Sequence, residues 1–229
     1  MRLDKFITYA GLSRSEAAAA IKAGRVAIDS IIAKNPAEKV SNSALVMLDG
    51  AVVDGSEFVY LLMNKPAGYV CEANRPDSVF TLLPKIYAKR KLSVCGRLDK
   101  DTEGMLLISD DGDFVHRIIS PAKHLPKVYF VRLQYAVTES DIRGFESGLE
   151  IDGGDICRPA KIQTTVVPEE AFVTISEGMY HQIKRMFLAV KNEVLYLSRV
   201  RTGSLSLPAD LPRGETIRLT PEETARIFH

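Results

Sequence analysis

No run of apolar residues in this chain approaches the ~18 needed to cross a bilayer, so helical membrane spans are not expected. The first residues include Arg2, Asp4 and Lys5 and no uninterrupted apolar stretch. A secretory leader is therefore not expected either, and the cytoplasm is the expected compartment. Cysteine is scarce: Cys71, Cys95 and Cys157 stand far apart, with no CxxC pair. That pattern argues against a zinc site and a disulfide framework and leaves three reduced thiols packed in a core. Internal repeats and low-complexity segments are missing, which excludes repeat architectures. A dominant charge sign is missing as well. A net charge of +1 by itself neither demands nor excludes a polyanionic partner. Its distribution is uneven: residues 1–40 sum to +3, residues 85–100 to +5 and residues 181–201 to +4, so the remainder is acidic. These basic stretches suit a polyanion, and equally suit ordinary solvated surface charge.

The 229 residues present are enough for one or two domains with a core. Residues 2–9 are helix-compatible and Gly11 ends them. Ser13-Arg14-Ser15-Glu16 is a capping box ahead of an alanine run, and Gly24 stops that second helix. Residues 26–28 read as a strand followed by a turn at Asp29-Ser30. Residues 45–48 and 51–53 flank Asp49-Gly50 as a type I′ hairpin. Asp54-Gly55-Ser56-Glu57 is a linker, giving domains 1–57 and 58–229. Beyond it, strands are expected at 58–63, 92–97, 105–109, 127–135, 160–167, 171–176 and 194–200. Helices are expected at 112–119, 138–147 and 180–190, with a last one announced by Thr220-Pro221-Glu222-Glu223. Strands outnumber helices without strict alternation. The expected class is α+β with a mixed, mainly antiparallel sheet.

In the N-terminal unit, Arg14 and Lys22 are eight residues apart and project within about 80° of each other on one helix. Ala17, Ala18 and Ile21 form its expected buried side, and Arg2, Lys5 and Arg25 add charge nearby. Phosphate contacts need such cations on one face of a small rigid unit. An ordinary amphipathic helix gives the same pattern. Arg2-Leu3-Asp4-Lys5-Phe6, then Gly11 to Ala17, then Ile21-Lys22-Ala23-Gly24-Arg25-Val26 resemble in order and spacing the S4 RNA-binding domain, over residues 1–48. Ser30 departs from it, since S4 domains often have glycine at that turn. The resemblance implies that Arg2, Lys5, Arg14, Lys22 and Arg25 contact RNA.

The densest chemistry lies in Gly96-Arg97-Leu98-Asp99-Lys100-Asp101-Thr102-Glu103-Gly104, a charged loop between two strand-like runs. Asp99, Asp101, Glu103, Gly104 and Asp110 fall at positions 1, 3, 5, 6 and 12 of a calcium-loop pattern. Calcium loops of that kind need a helix on each side, whereas both flanks here read as strands. A purely structural turn remains open on spacing alone. The same nine residues resemble the G-R-L-D-x-x-T-x-G signature of the pseudouridine synthases. Met63-Asn64-Lys65-Pro66-Ala67-Gly68 resembles their N-K-P-x-G segment, and Lys127-Val128-Tyr129 the segment that brings an active-site tyrosine. Glu177-Gly178-Met179-Tyr180-His181-Gln182-Ile183-Lys184-Arg185-Met186 is similar to E-G-R-x-H-Q-V-K-R-M, with Met179 in place of the usual arginine. With the S4-like start, the order matches the small-ribosomal-subunit branch, the RsuA-type synthases, over essentially the whole chain.

That resemblance implies isomerisation of uridine to pseudouridine in ribosomal RNA, at position 516 of 16S rRNA, with no cofactor and no metal. It implies Asp99, Tyr129 and Lys184 as catalytic residues, with Asn64, Lys65, Arg97, His181 and Arg185 toward the substrate or RNA. His181 has no Ser or Cys at triad spacing, so a capping or packing place at the helix start is expected for it. On the helix from about Tyr180, Ile183, Met186, Phe187 and Val190 form an apolar stripe, and Lys184 lies about 100° off it, at the edge of the core. The expected partner is 16S rRNA within a small-subunit assembly intermediate, bound by a monomer without a membrane. Synthases of the 23S rRNA branch and a non-catalytic S4-type RNA-binding or assembly protein are the alternatives.

Overall fold

The computed structural model describes residues 1–41, 44–88, 90–120 and 124–229. Lys89 of the basic stretch and residues 42–43 of the S4-like segment lie outside the described residues. The chain divides into two compact units, Met1–Val59 with Leu83–Leu92, and Tyr60–Leu82 with Ser93–His229.

The first unit contains helices α1 (Leu3–Thr8) and α2 (Arg14–Lys22) and strands β1 (Val26–Ile28), β2 (Ile31–Ile32), β3 (Val46–Leu48) and β4 (Ala51–Val52). Both halves of the capping box form: the Glu16 amide donates to Ser13 Oγ, and the Ser13 amide donates to the Glu16 carboxylate. The strands form an antiparallel sheet in the order β2-β1-β3-β4. Asp49-Gly50 turns between β3 and β4 with φ of 52° and 78°. Asp29 and Ser30 make the same kind of turn, with φ of 47° and 70°, so the turn closes without glycine. Leu3, Ile7, Ala17, Ala20, Ile21, Val26 and Val46 are buried together. Ala20 takes the place expected for Ala18, which is only partly buried. Positions 17, 20 and 21 follow the i, i+3, i+4 rule, whereas 18 is turned 100° away from 17.

The second unit runs β5 (Tyr60–Lys65), β6 (Ser93–Val94), β7 (Glu103–Ser109), α3 (Gly112–Ile119), β8 (Lys127–Leu133), α4 (Glu139–Ser147), β9 (Glu150–Ile151), β10 (Asp155–Ile156), β11 (Lys161–Thr164), β12 (Glu170–Ile175), α5 (Gln182–Ala189), β13 (Val194–Thr202), β14 (Leu205–Ser206), β15 (Thr216–Arg218) and α6 (Pro221–Arg226). The main sheet has the order β11-β12-β8-β13-β7-β5-β15, with β14 beside β13 and β6 beside β7. Only β13 and β7 are parallel among its described pairs, so the sheet is mixed and mainly antiparallel. β12 alternates Ala171, Val173 and Ile175, all buried, with half-exposed neighbours. On α4 and α5, Phe145 and Phe187 are buried with ring centroids 4.8 Å apart. Phe114 and Ile118 of α3 pack with Leu62, Met105 and Leu107 from the sheet.

Several boundaries differ from expectation, two of them for a direct physical reason. The strand expected at 92–97 is only β6, because Gly96 turns to a φ of 88°. β7 starts two residues early, at Glu103, because Ser198 and Arg199 of β13 pair with Glu103 and Gly104. The short strands β9, β10, β14 and β15 were not anticipated. β15 exists only because β5 offers it a partner 150 residues back in the chain.

Gly203, between β13 and β14, has a φ of 57°, and a Cβ there would lie 1.8 Å from the carbonyl oxygen of Ile227 just after α6. Gly203→Ala is expected to destabilise the protein by about 2–3 kcal/mol, seen as a lower urea midpoint with an unchanged slope.

Candidate active site

The loop between β6 and β7 is shaped from beneath by buried cations. Lys65, the last residue of β5, is 0% exposed. Its ammonium donates to the carbonyls of Thr102 (2.7 Å), Asp99 (3.0 Å), Pro66 (3.1 Å) and Lys100 (3.3 Å). Burial pushes Lys65 down from the usual lysine pKa, and the nearby acidic groups only partly offset that. Arg199 of β13, 2% exposed, donates from Nε to Met105 O (2.7 Å) and from Nη2 to Gly96 O (3.1 Å). It therefore grips the chain on both sides of the loop. The Cys71 thiol accepts from the Leu98 amide and faces the Leu98 carbonyl, each at 3.4 Å. Gly104 closes the loop at a φ of 97°. A Cβ there would sit 2.3 Å from the backbone oxygen of Arg199. Only glycine lets β7 approach β13 at that point.

With its backbone held inside, the loop presents its carboxylates outward. Lys184, on the first turn of α5, places Nζ 3.1 Å from Asp99 Oδ2 and 2.6 Å from Asp101 Oδ1. Burial lowers the Lys184 pKa, but hydrogen bonds to Asp101 and Asp99 outweigh it, and the net shift is upward. Burial likewise opposes ionisation of Asp101, and the Lys184 pairing overcomes it, so its pKa falls. His181 Nε2 lies 3.5 Å from Asp99 Oδ1. Asp99 is thus flanked by an ammonium and an imidazole. The two carboxylates nearest it in sequence are committed elsewhere, Asp101 to Lys184 and Glu103 to Tyr196 Oη (2.6 Å) and Arg213 Nε (2.8 Å). Strands, not helices, flank the loop, and Glu103 is itself the first residue of one, which removes the geometry a calcium loop needs.

Residues 59–189 match the family model described as RNA pseudouridylate synthase, and residues 1–46 match the S4 domain. The chain belongs to the RNA pseudouridylate synthase family. It is 42% identical to the ribosomal small subunit pseudouridine synthase A of Escherichia coli K12, covering 99% of this chain and 100% of that protein. It is 43% identical to an uncharacterised RNA pseudouridine synthase, YtzG, of Bacillus subtilis 168, covering 97% and 96%. A solved pseudouridylate synthase structure superposes with a TM-score of 0.71 at 36% identity, covering 99% of each chain.

The synthase places the remaining expected residues as follows. Tyr129 is 8% exposed on β8, opposite Arg199, which in turn pairs with Gly104. A cross-strand row therefore connects Tyr129 to the end of the loop. Arg97 is exposed, with Glu72 at 3.9 Å, and faces outward beside Asp99 in sequence. Lys65 does not reach for RNA: its ammonium is enclosed by carbonyls. Asn64 is half-buried and donates to Leu211 O at 2.7 Å, so fastening the segment that carries Arg213. The Arg185 side chain is only 15% exposed and bonds to Asp152, Asp155 and the Tyr180 carbonyl. Lys65 and Arg185 thus spend their charge on groups of their own unit. His181 does not cap α5 with its side chain. It occupies the position before the helix in a left-handed conformation, with its ring free to face Asp99. Met179 places its sulfur 4.0 Å from Cys157 Sγ.

Two contributors were not anticipated. Arg199 was counted only as part of a basic stretch. Lys127 was noted only as the neighbour of Tyr129, two residues along the same face of β8. Burial, with Arg199 nearby, lowers the Lys127 pKa to about 8. The stretch 181–201 is accordingly only partly a surface feature: Lys184, Arg185 and Arg199 spend their charge inside the unit, while Lys191 and Arg201 are exposed.

In the S4 unit, Asp4 is buried and receives Arg2 at 2.7 Å and Arg14 at 3.5 Å. The hydrogen bond from Arg2 leads the causes that lower its pKa to about 2. Arg25 pairs with Asp49. Lys5 and Lys22 are exposed and have no ion pair among the described residues. Arg90 donates to the carbonyls of Asp54 and Ser56, so that part of the 85–100 stretch is also structural.

Lys65→Met removes a charged donor from four carbonyls at once. It is expected to cost about 2–4 kcal/mol in urea unfolding and to lower pseudouridine formation in parallel, because the Asp99 carbonyl loses its anchor.

Proposed function

We propose that this synthase isomerises one uridine of small-subunit ribosomal RNA, position 516 of 16S rRNA, with Asp99 as the ionised carboxylate that acts on the nucleotide. The reaction breaks the N1–C1′ bond and rejoins the base through C5, with no redox change and no group donor. What it does need is a charged carboxylate in a site that sheds water, where burial alone would disfavour the charge. The Lys184 ammonium 3.1 Å from Asp99 meets that need, and is the observation that carries the proposal. A carboxylate held this way is suited to covalent or proton-transfer chemistry at the sugar or base. Tyr129, on the buried row leading to the loop, is assigned to stack on the uracil or to help move the C5 proton.

The small-subunit target is supported by full-length similarity to the Escherichia coli enzyme named for that subunit. The S4 unit, through Lys5 and Lys22, and the exposed Arg97 supply backbone contacts that offset the few kcal/mol of extracting a base from its stack. The protein works as a monomer in the cytoplasm, on rRNA in an assembly intermediate, without a cofactor.

Asp99→Asn keeps the shape and removes the charge. On a 16S transcript or a partly assembled small subunit, pseudouridine mapped by mass spectrometry is expected to fall by at least about a thousandfold in rate. Conversion at the wild-type rate would refute the role of Asp99, and a wild-type product found only in 23S rRNA would move the target. Lys5→Gln with Lys22→Gln is expected to weaken RNA binding about tenfold near physiological salt and to lower the slope of log affinity against log salt by about 1–2. Filter binding across a salt series checks this, and an unchanged slope removes the S4 unit from the interface.

A further inference from the structure

Beside Asp99 the chain exposes an aromatic ring that no internal contact explains. Tyr180 is 73% exposed. Its ring lies parallel to that of His181, with centroids 3.8 Å apart and planes 18° from parallel, and His181 reaches Asp99 at 3.5 Å. A stack therefore begins at the Asp99 carboxylate, passes through the imidazole and ends on the open face of a tyrosine. The segment that carries it is anchored from several sides. Arg185, itself clamped by Asp152 and Asp155, donates to the Tyr180 carbonyl at 3.2 Å. The Met179 amide donates to Gln182 Oε1 at 3.0 Å, and Gln182 Nε2 donates to Glu177 Oε1 at 2.5 Å. His181 holds a φ of 47°, a left-handed conformation that a non-glycine residue adopts only when its surroundings impose it. These contacts hold the backbone that carries the exposed ring in place beside Asp99.

We propose that the Tyr180–His181 stack is a nucleobase-binding subsite, on whose outer face the base of a nucleotide adjacent to the target uridine stacks. This rests on the pseudouridine synthase reading of Asp99 and adds to it a place for the flanking nucleotide. Exposed rings on a rigid segment are what single-stranded nucleic acid uses, because every base offers a π-face. With the target nucleotide at Asp99, the chain leaving it passes His181 first and reaches the open face of Tyr180 next. Stacking is tolerant of base identity, so the subsite senses whether a neighbouring base is present and unpaired, not which base it is. It thereby favours a uridine in a loop or an unfolded segment over one in a duplex.

The test is a cycle between protein and RNA. Oligonucleotides spanning the uridine that the wild-type protein converts are made intact, abasic at the 5′ neighbour and abasic at the 3′ neighbour, and kcat/KM is measured for wild type, Tyr180→Ala and Tyr180→Phe. Tyr180→Ala is expected to lower kcat/KM roughly ten- to hundredfold on intact RNA. On one of the two abasic RNAs its effect is expected to shrink to about twofold or less, while Tyr180→Phe, which keeps the ring, restores the dependence on the neighbouring base. No loss on intact RNA, or an equal loss on all three RNAs, overturns the subsite. The cycle uses whichever uridine is converted, so a wrong 16S assignment leaves it readable. An inactive wild-type protein would instead sink the reading of Asp99.

Discussion

The ammonium of Lys65 sits where water does not reach and meets four carbonyl oxygens, three of them on the charged loop. A buried cation is costly unless its hydration is replaced by well-placed acceptors. Here the replacement is the loop's own backbone. Without it, a segment carrying Asp99, Asp101 and Glu103 within five residues would be spread by mutual repulsion. With it, the carbonyls turn inward and the carboxylates turn outward, where Lys184 and Arg213 meet them. Arg199 extends the arrangement by holding Gly96 and Met105 on either side. The backbone around Asp99 is thus held by Lys65 and Arg199, which touch carbonyls, while Lys184 meets the carboxylate itself.

The same economy divides the basic residues of the whole chain into two populations. Lys65, Arg90, Arg185 and Arg199 satisfy backbone or acidic groups inside their own units. Lys5, Lys22, Arg97, Lys191 and Arg201 are among those that face outward. Only part of the basic charge is therefore available to phosphates, and a count of lysines and arginines in the sequence overstates it.

Much of the fold was legible because its causes are local. The Ser13–Glu16 and Thr220–Glu223 boxes, the Asp49-Gly50 turn and the α3 boundaries rest on chemistry within a few residues. The apolar stripe of α5 placed Lys184 at the core's edge from periodicity alone. Reading failed where the partner was distant. β15 and the early start of β7 depend on pairing with β5 and β13. Ala20 rather than Ala18 completes the N-terminal core because the rest of that core lies on its side of the helix.

By itself the sequence determined the catalytic family, the order of its motifs and the two-part organisation. These depend on residue types at fixed short spacings, which survive without coordinates. Only the tertiary structure decided what each cation does. Lysine and arginine look alike in sequence whether they face water, a carbonyl cage or a carboxylate, since that depends on which distant strand or helix packs beside them. Lys65 and Arg185 read as RNA contacts and are held by groups of their own unit, Arg199 read as part of a basic stretch and is buried, and His181, read as capping or packing at the helix start, lies beside Asp99.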